Sequence, residues 1–185
     1  MKRCVMLFIV ITFLSCGNDD KIANEIRELH GSTIVFDKRE CTRCYLSEIS
    51  LDSLLSSDAK FVSYVDEFSC TVCAIDMLRK WTQCFDSIHS DVPYLVVCRV
   101  DESRIEDVYS ELKNCELSCS ILLLSSSNFM KRNNLDVMAY NRTFLLDRNN
   151  RIKVVGEPFN NVALRRLYRN VILKEKERRK VRKIA

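Results

Sequence analysis

Apolar residues along this chain fall in short blocks parted by charged turns, and the blocks alternate between two periodicities. Residues 60–65 (Lys-Phe-Val-Ser-Tyr-Val), 93–100 (Pro-Tyr-Leu-Val-Val-Cys-Arg-Val) and 119–124 (Cys-Ser-Ile-Leu-Leu-Leu) are nearly continuous runs. Runs of this length and composition predict strands covered on both faces. Between the first two, Cys73, Met77, Trp81 and Cys84 recur at helical spacing, with Ala74, Leu78 and Phe85 beside them. Residues 101–114 predict a second helix, acidic at its start, with Ile105, Val108 and Leu112 on one stripe. Residues 143–146 and 152–155 read as strands flanking Asp147-Arg-Asn-Asn150, a hairpin signal. From Asn161 a last helix should turn Val162, Leu164, Leu167, Tyr168, Val171 and Ile172 inward. Weaker signals predict a β-branched strand at 32–36, a charged turn at 37–40, a strand or helical turn at 46–55, and a short helix or turn at 126–133.

Strand, helix, strand, helix, strand, hairpin and helix make an α/β chain with a mixed sheet and helices on both faces. The βαβ part should be right-handed and parallel, the hairpin antiparallel. No internal repeat or second domain is visible, and 185 residues suffice for one domain. Three Gly and two Pro argue against a fibrous or low-complexity chain.

The first residues read as a targeting segment rather than as fold. Lys2 and Arg3 precede an apolar run over 5–14, the length of a secretion-signal core and too short for a membrane span. It ends at Phe13-Leu-Ser-Cys16-Gly17, which is similar to a bacterial lipobox, with cleavage before Cys16 and lipidation of its sulfur. Asn18-Asp19-Asp20 then resembles the acidic signal of surface-exported lipoproteins. The expected organisation is signal and anchor over 1–16, tether over 17–32, domain over 33–173 and basic tail over 174–185. An ordinary cleaved signal peptide with an incidental Cys16 is the plainer alternative. Export places the protein in the cell envelope, lipid-anchored to the outer membrane on its periplasmic or surface face.

Export also changes the meaning of the ten cysteines. Eight lie beyond Cys16, an even number that permits disulfides: Cys41, Cys44, Cys70, Cys73, Cys84, Cys98, Cys115 and Cys119. Cys70-Thr-Val-Cys73 is the strongest chemical signal, because it stands between a strand and a helix, with Ser69 able to cap. A thiolate at a helix N-terminus is stabilised by unpaired N–H groups and the helix dipole, and a cysteine three residues on can resolve a mixed disulfide. Cys70 is thus the candidate nucleophile and Cys73 the resolving thiol. A structural disulfide or an inert pair is the alternative.

Cys41-Thr-Arg-Cys44 is a second pair at the same spacing, in a polar segment. It reads as a local disulfide, a relay to Cys70 and Cys73, or half of a zinc site, in that order; Arg43 and Lys38 could lower a thiolate pKa. Cys115 and Cys119 could form a local disulfide, while Cys84 and Cys98 read as core residues. His30 and His89 fall in no metal-binding spacing.

Together the strand–Cys70-Thr-Val-Cys73–helix unit, Thr143-Phe-Leu-Leu-Asp147 followed by Ile152-Lys-Val-Val-Gly156, and the amphipathic C-terminal helix resemble the thioredoxin fold. More closely, they resemble envelope thioredoxin-like proteins related to TlpA and the alkyl-hydroperoxide-reductase/thiol-specific-antioxidant group. The resemblance spans about residues 33–173. It implies a thiol–disulfide oxidoreductase with no cofactor, acting on disulfide-containing proteins or small molecules and re-reduced by an upstream thiol. It also implies that Asn141, Arg142 and Thr143 occupy the substrate-binding position. That family places a cis-proline there; Asn141 stands at the matching position, and a non-proline cis bond costs about 2.5–4 kcal/mol. The Trp before the first cysteine is replaced by Ser69, and the buried acid of thioredoxins by Tyr64, with Asp66 and Glu67 nearer the cysteines. These departures favour, as the alternative function, a non-enzymatic thioredoxin-fold lipoprotein that binds or scaffolds, with a locked or vestigial Cys-x-x-Cys.

Net charge is +4, with much of the excess in Lys174-Glu-Lys-Glu-Arg-Arg-Lys-Val-Arg-Lys183. An export signal and the lack of an aromatic-plus-basic motif exclude nucleic acid as a partner. The tail reads as a solvated helix end, its positive charge suited to the helix C-terminus.

Overall fold

The computed structural model describes residues 16–45, 50–66, 71–115, 117–135 and 142–184, with backbone alone for 16–21, 38, 71–74 and 179–184. In chain order the elements are α1 (Cys16–Leu29), a 3-10 turn (Lys38–Glu40), β1 (Cys41–Tyr45), α2 (Leu51–Leu55), β2 (Ala59–Asp66) and α3 (Thr71–His89). There follow β3 (Tyr94–Arg99), a 3-10 turn (Glu102–Arg104), α4 (Ile105–Lys113), β4 (Ser120–Leu124), α5 (Asn128–Arg132), β5 (Thr143–Asp147), β6 (Ile152–Val155) and α6 (Val162–Ile184). Helix α1 covers most of the segment expected as a tether. The strand expected at 32–36 is reduced to a bridge between Thr33 and Arg151.

One six-stranded sheet runs in the order β1-β4-β3-β2-β5-β6. Strands β4, β3 and β2 are parallel, while β1, β5 and β6 each run antiparallel to the neighbour they pair with. The fold is therefore α/β and thioredoxin-like: a βαβαβ half, an antiparallel hairpin, and a terminal helix. Strand β1 extends the edge beyond β4. All residues of β4 and all but the last of β3 are buried, as continuous apolar runs require.

Two cores sandwich the sheet. On one face Leu78 and Phe85 of α3, Val108 and Leu112 of α4, and Tyr168 and Ile172 of α6 pack over Phe61, Val96 and Ile121. Phe85 stacks on Phe61 with centroids 4.4 Å apart, and Tyr168 Oη donates to Gly156 O at 2.8 Å. On the other face Leu29 of α1, Leu54 of α2 and Phe129 of α5 cover Val62, Tyr64, Val97 and Leu122.

Two helix faces differ from their sequence expectation. In α3 the buried stripe is Ile75, Leu78, Thr82, Phe85 and Ile88, while Trp81 and Cys84 lie on its half-buried flank. Thr82 enters the core because its hydroxyl donates to Leu78 O at 2.8 Å, so no polar group is orphaned. In α6, Val162 and Leu167 face solvent at 60% and 47% exposure. The inward face there is carried by Tyr168 and Ile172, flanked by Leu164 and Val171.

Candidate functional site

The parallel strands end together at one rim of the sheet. Asp66 of β2 is in register with Arg99 of β3, Arg99 with Leu124 of β4, and Leu124 with Cys41 of β1. The carboxyl ends of parallel strands are where open α/β sheets bind ligands. Cys41 lies on this rim, and α3, which carries Cys73, begins five residues after Asp66 in sequence.

Cys70 lies outside the described residues, as do Glu67 and Ser69. Cys73 is the third residue of α3, whose first residue is Thr71. Strand β2 ends at Asp66 and α3 begins at Thr71, so Cys73 lies in the first turn of a helix that follows the strand in sequence. Asn141 also lies outside the described residues. Arg142 O accepts from Tyr64 N at 2.8 Å, which extends the β2–β5 ladder by one residue. Thr143 is buried, its hydroxyl 3.0 Å from that of Ser63, so its side chain belongs to the sheet interior.

Asp66 is ion-paired rather than free. Arg99 Nε donates to its Oδ1 at 2.5 Å, and an Arg142 guanidinium nitrogen lies 3.8 Å from Oδ2. The same guanidinium sits over the Tyr64 ring, 5.6 Å from its centroid. Sequence reasoning named Asp66 without its partners. No local signal gave them, because Arg99 meets Asp66 only through the register of β3 on β2.

The second pair is resolved in full. A regular strand points residues i and i+3 to opposite faces. Between Cys41 and Arg43 the register shifts, so Cys41 pairs with Leu124, Arg43 with Leu123 and Cys44 with Leu122. The extra residue of this bulge turns both cysteines to the face of Leu122 and Leu124. Their sulfurs lie 2.6 Å apart, and both residues are half-buried free thiols. Arg43 points to the other face, where its guanidinium is bound by Glu106 at 2.6 Å and lies 5.8 Å from the Tyr109 centroid. The guanidinium expected to assist a thiolate is therefore engaged elsewhere.

Charges beside the pair largely cancel. Arg132 binds Glu40 and approaches Asp37, and Arg39 donates to Asp37 at 2.8 Å. The Arg39 hydrogen bonds hold the Asp37 carboxyl down at about 2. Cys41 Sγ also donates to Arg43 O at 3.1 Å, and either sulfur of the pair can donate to the other. Their ionisation is therefore coupled: a thiolate on one sulfur is held by the thiol of the other, and loss of the second proton is opposed by the first charge. Cys41 also lines an apolar cavity of about 10 Å³ with Phe36, Leu51, Val97 and Phe129, room for about one water.

Among the described residues, Cys84, Cys98, Cys115 and Cys119 are free. Cys115 and Cys119 are free thiols, not the local disulfide expected. Cys119 and Cys98 are buried, and burial pushes the Cys119 thiol up to about 11. Cys84 is half-buried. Among the described residues no cluster of three or more His, Cys, Asp or Glu could hold a metal, and no helix is long and apolar enough to cross a membrane.

No protein-family model matches the chain, and no curated protein sequence does. Solved structures do. A thioredoxin-like protein in the oxidized form aligns at 11% identity, covering 79% of this chain and 96% of its own, with a TM-score of 0.49. A candidate thiol:disulfide interchange protein, DsbE, from Chlorobium tepidum aligns at 12% identity over 79% and 96%, TM-score 0.48. A thiol:disulfide interchange protein from Bacteroides sp. aligns at 13% identity over 77% and 87%, TM-score 0.42.

Proposed function

We propose that the chain is an envelope thiol–disulfide oxidoreductase, lipid-anchored through Cys16, that works through Cys70-x-x-Cys73. The observation that carries the reading is the backbone order at the rim: β2 ends at Asp66, α3 begins at Thr71, and the two cysteines bracket the helix start. In this mechanism the helix N-terminus stabilises the Cys70 thiolate, which attacks a substrate disulfide. Cys73 then attacks Cys70 of the mixed disulfide, releases the second substrate thiol and leaves a Cys70–Cys73 disulfide. An upstream thiol reductant restores the pair, and no cofactor takes part. Substrates are disulfide-containing proteins or small molecules.

A second reading is a binding or scaffold lipoprotein with an idle Cys-x-x-Cys. What favours it is Asn141 at the position where the resembled family has proline. A disulfide-reductase assay of the Cys41→Ser/Cys44→Ser chain, in which Cys70 and Cys73 are tested without the other Cys-x-x-Cys, separates the two. Under the first reading, Cys70→Ser abolishes turnover, and Cys73→Ser accumulates a mixed disulfide through Cys70 that names the substrate. Turnover that survives both substitutions removes this pair from the mechanism.

A further inference from the structure

We propose that Cys41 and Cys44 form a second, self-contained thiol–disulfide couple, which reacts with low-molecular-weight disulfides. The proposal does not depend on Cys70-x-x-Cys73. Its basis is the bulge in β1, which turns two residues of opposite strand parity to one face and brings their sulfurs to 2.6 Å. The pair stands on the terminal strand of the sheet, half-buried, so a small disulfide has access without opening a core. The carboxylates beside it are already paired with Arg39 and Arg132, so they impose little net repulsion on a thiolate. The contact between the two sulfurs lets the thiol of one hold a thiolate on the other.

Sheet register sets this pair apart from the end of β2. Cys41 and Asp66 share one row with β4 and β3 between their strands, three inter-strand steps or roughly 14 Å. The two sulfurs also pack on the face of α1, α2 and α5, whereas α3 covers the other.

The reaction balances as a two-electron transfer. A thiolate of the pair attacks one sulfur of R–S–S–R, a bond forms between them, and R–S⁻ departs. The other cysteine gives its proton to that leaving thiolate and attacks the first. The Cys41–Cys44 disulfide forms and the second R–S⁻ leaves, to be protonated from water. The external disulfide is reduced and the pair is oxidised; excess glutathione reverses both steps.

Trypsin reads this couple directly, since cleavage after Arg39, Arg43 and Lys60 puts Cys41 and Cys44 on separate peptides, 40–43 and 44–60. The full chain is equilibrated in graded ratios of reduced to oxidised glutathione, acid-quenched, alkylated and digested. The two peptides should become disulfide-linked as the ratio falls and separate again as it rises. The midpoint should be unchanged in Cys70→Ser/Cys73→Ser, or in Cys73→Ala alone if the double variant does not fold. Three results overturn the proposal: no link in oxidised glutathione alone, a link that excess reduced glutathione leaves intact, or a link that forms only while Cys70 and Cys73 are present.

Discussion

Lys60 is fully buried in β2, with Nζ donating to Asp147 O at 2.8 Å and to Ser57 O at 3.3 Å. Burial lowers its pKa from 10.5 to about 8. Below pH 8 both folded and unfolded chains hold the proton, and the folded chain bears the full cost of a desolvated cation. Between about pH 8 and 10.5 the unfolded chain binds more protons, so this group's contribution to stability rises with pH. Buried tyrosines and cysteines titrate with the opposite sign, so the test is a difference. The urea midpoint of the unsubstituted chain should gain on that of Lys60→Met as pH goes from 7.5 to 10. Equal pH profiles would show that the ammonium is not desolvated. At this scale the sequence named both cysteine pairs, and it had no means of showing which side chains hold Asp66 or Arg43. Asp66 meets Arg99 from β3 and Arg142 from the start of β5, and Arg43 meets Glu106 from α4, contacts fixed by tertiary register.

Elements were legible where one periodicity dominates. Strands β3 and β4 announce themselves as unbroken apolar runs, and the β5–β6 hairpin by Asp147-Arg-Asn-Asn150, whose Asn150 adopts φ +59. Strand β1 was not legible, because Cys-Thr-Arg-Cys-Tyr alternates in neither period and its bulge breaks strand parity. The stripe of α3 was displaced because sulfur and indole side chains were weighted above a threonine that satisfies its own hydroxyl. That displacement is testable. Leu78→Ala should cost about 2–5 kcal/mol, as core truncations do, whereas exposed Lys80→Ala should stay within about 0.5 kcal/mol. Trp81, half-buried and stacked on Phe159 at 5.5 Å, supplies the fluorescence signal for both urea titrations. A larger loss from Lys80→Ala would place the core face elsewhere.

At the scale of the whole molecule, the architecture followed from the order of elements, and the site did not. Strand–helix alternation and the hairpin dictate a mixed sheet with helices on both sides, but the row Asp66–Arg99–Leu124–Cys41 appears only once the strands are in register. That row has a consequence for recognition. A binding partner of ordinary footprint covers about 800 Å² of its target, wider than the roughly 14 Å from one end of the row to the other. A protein docked over Asp66 and Arg99 would therefore shade Cys41 as well, muting its alkylation without touching its chemistry. Occupancy at one end of the edge would be legible as protection at the other, and two chemically separate centres would answer to a single visitor.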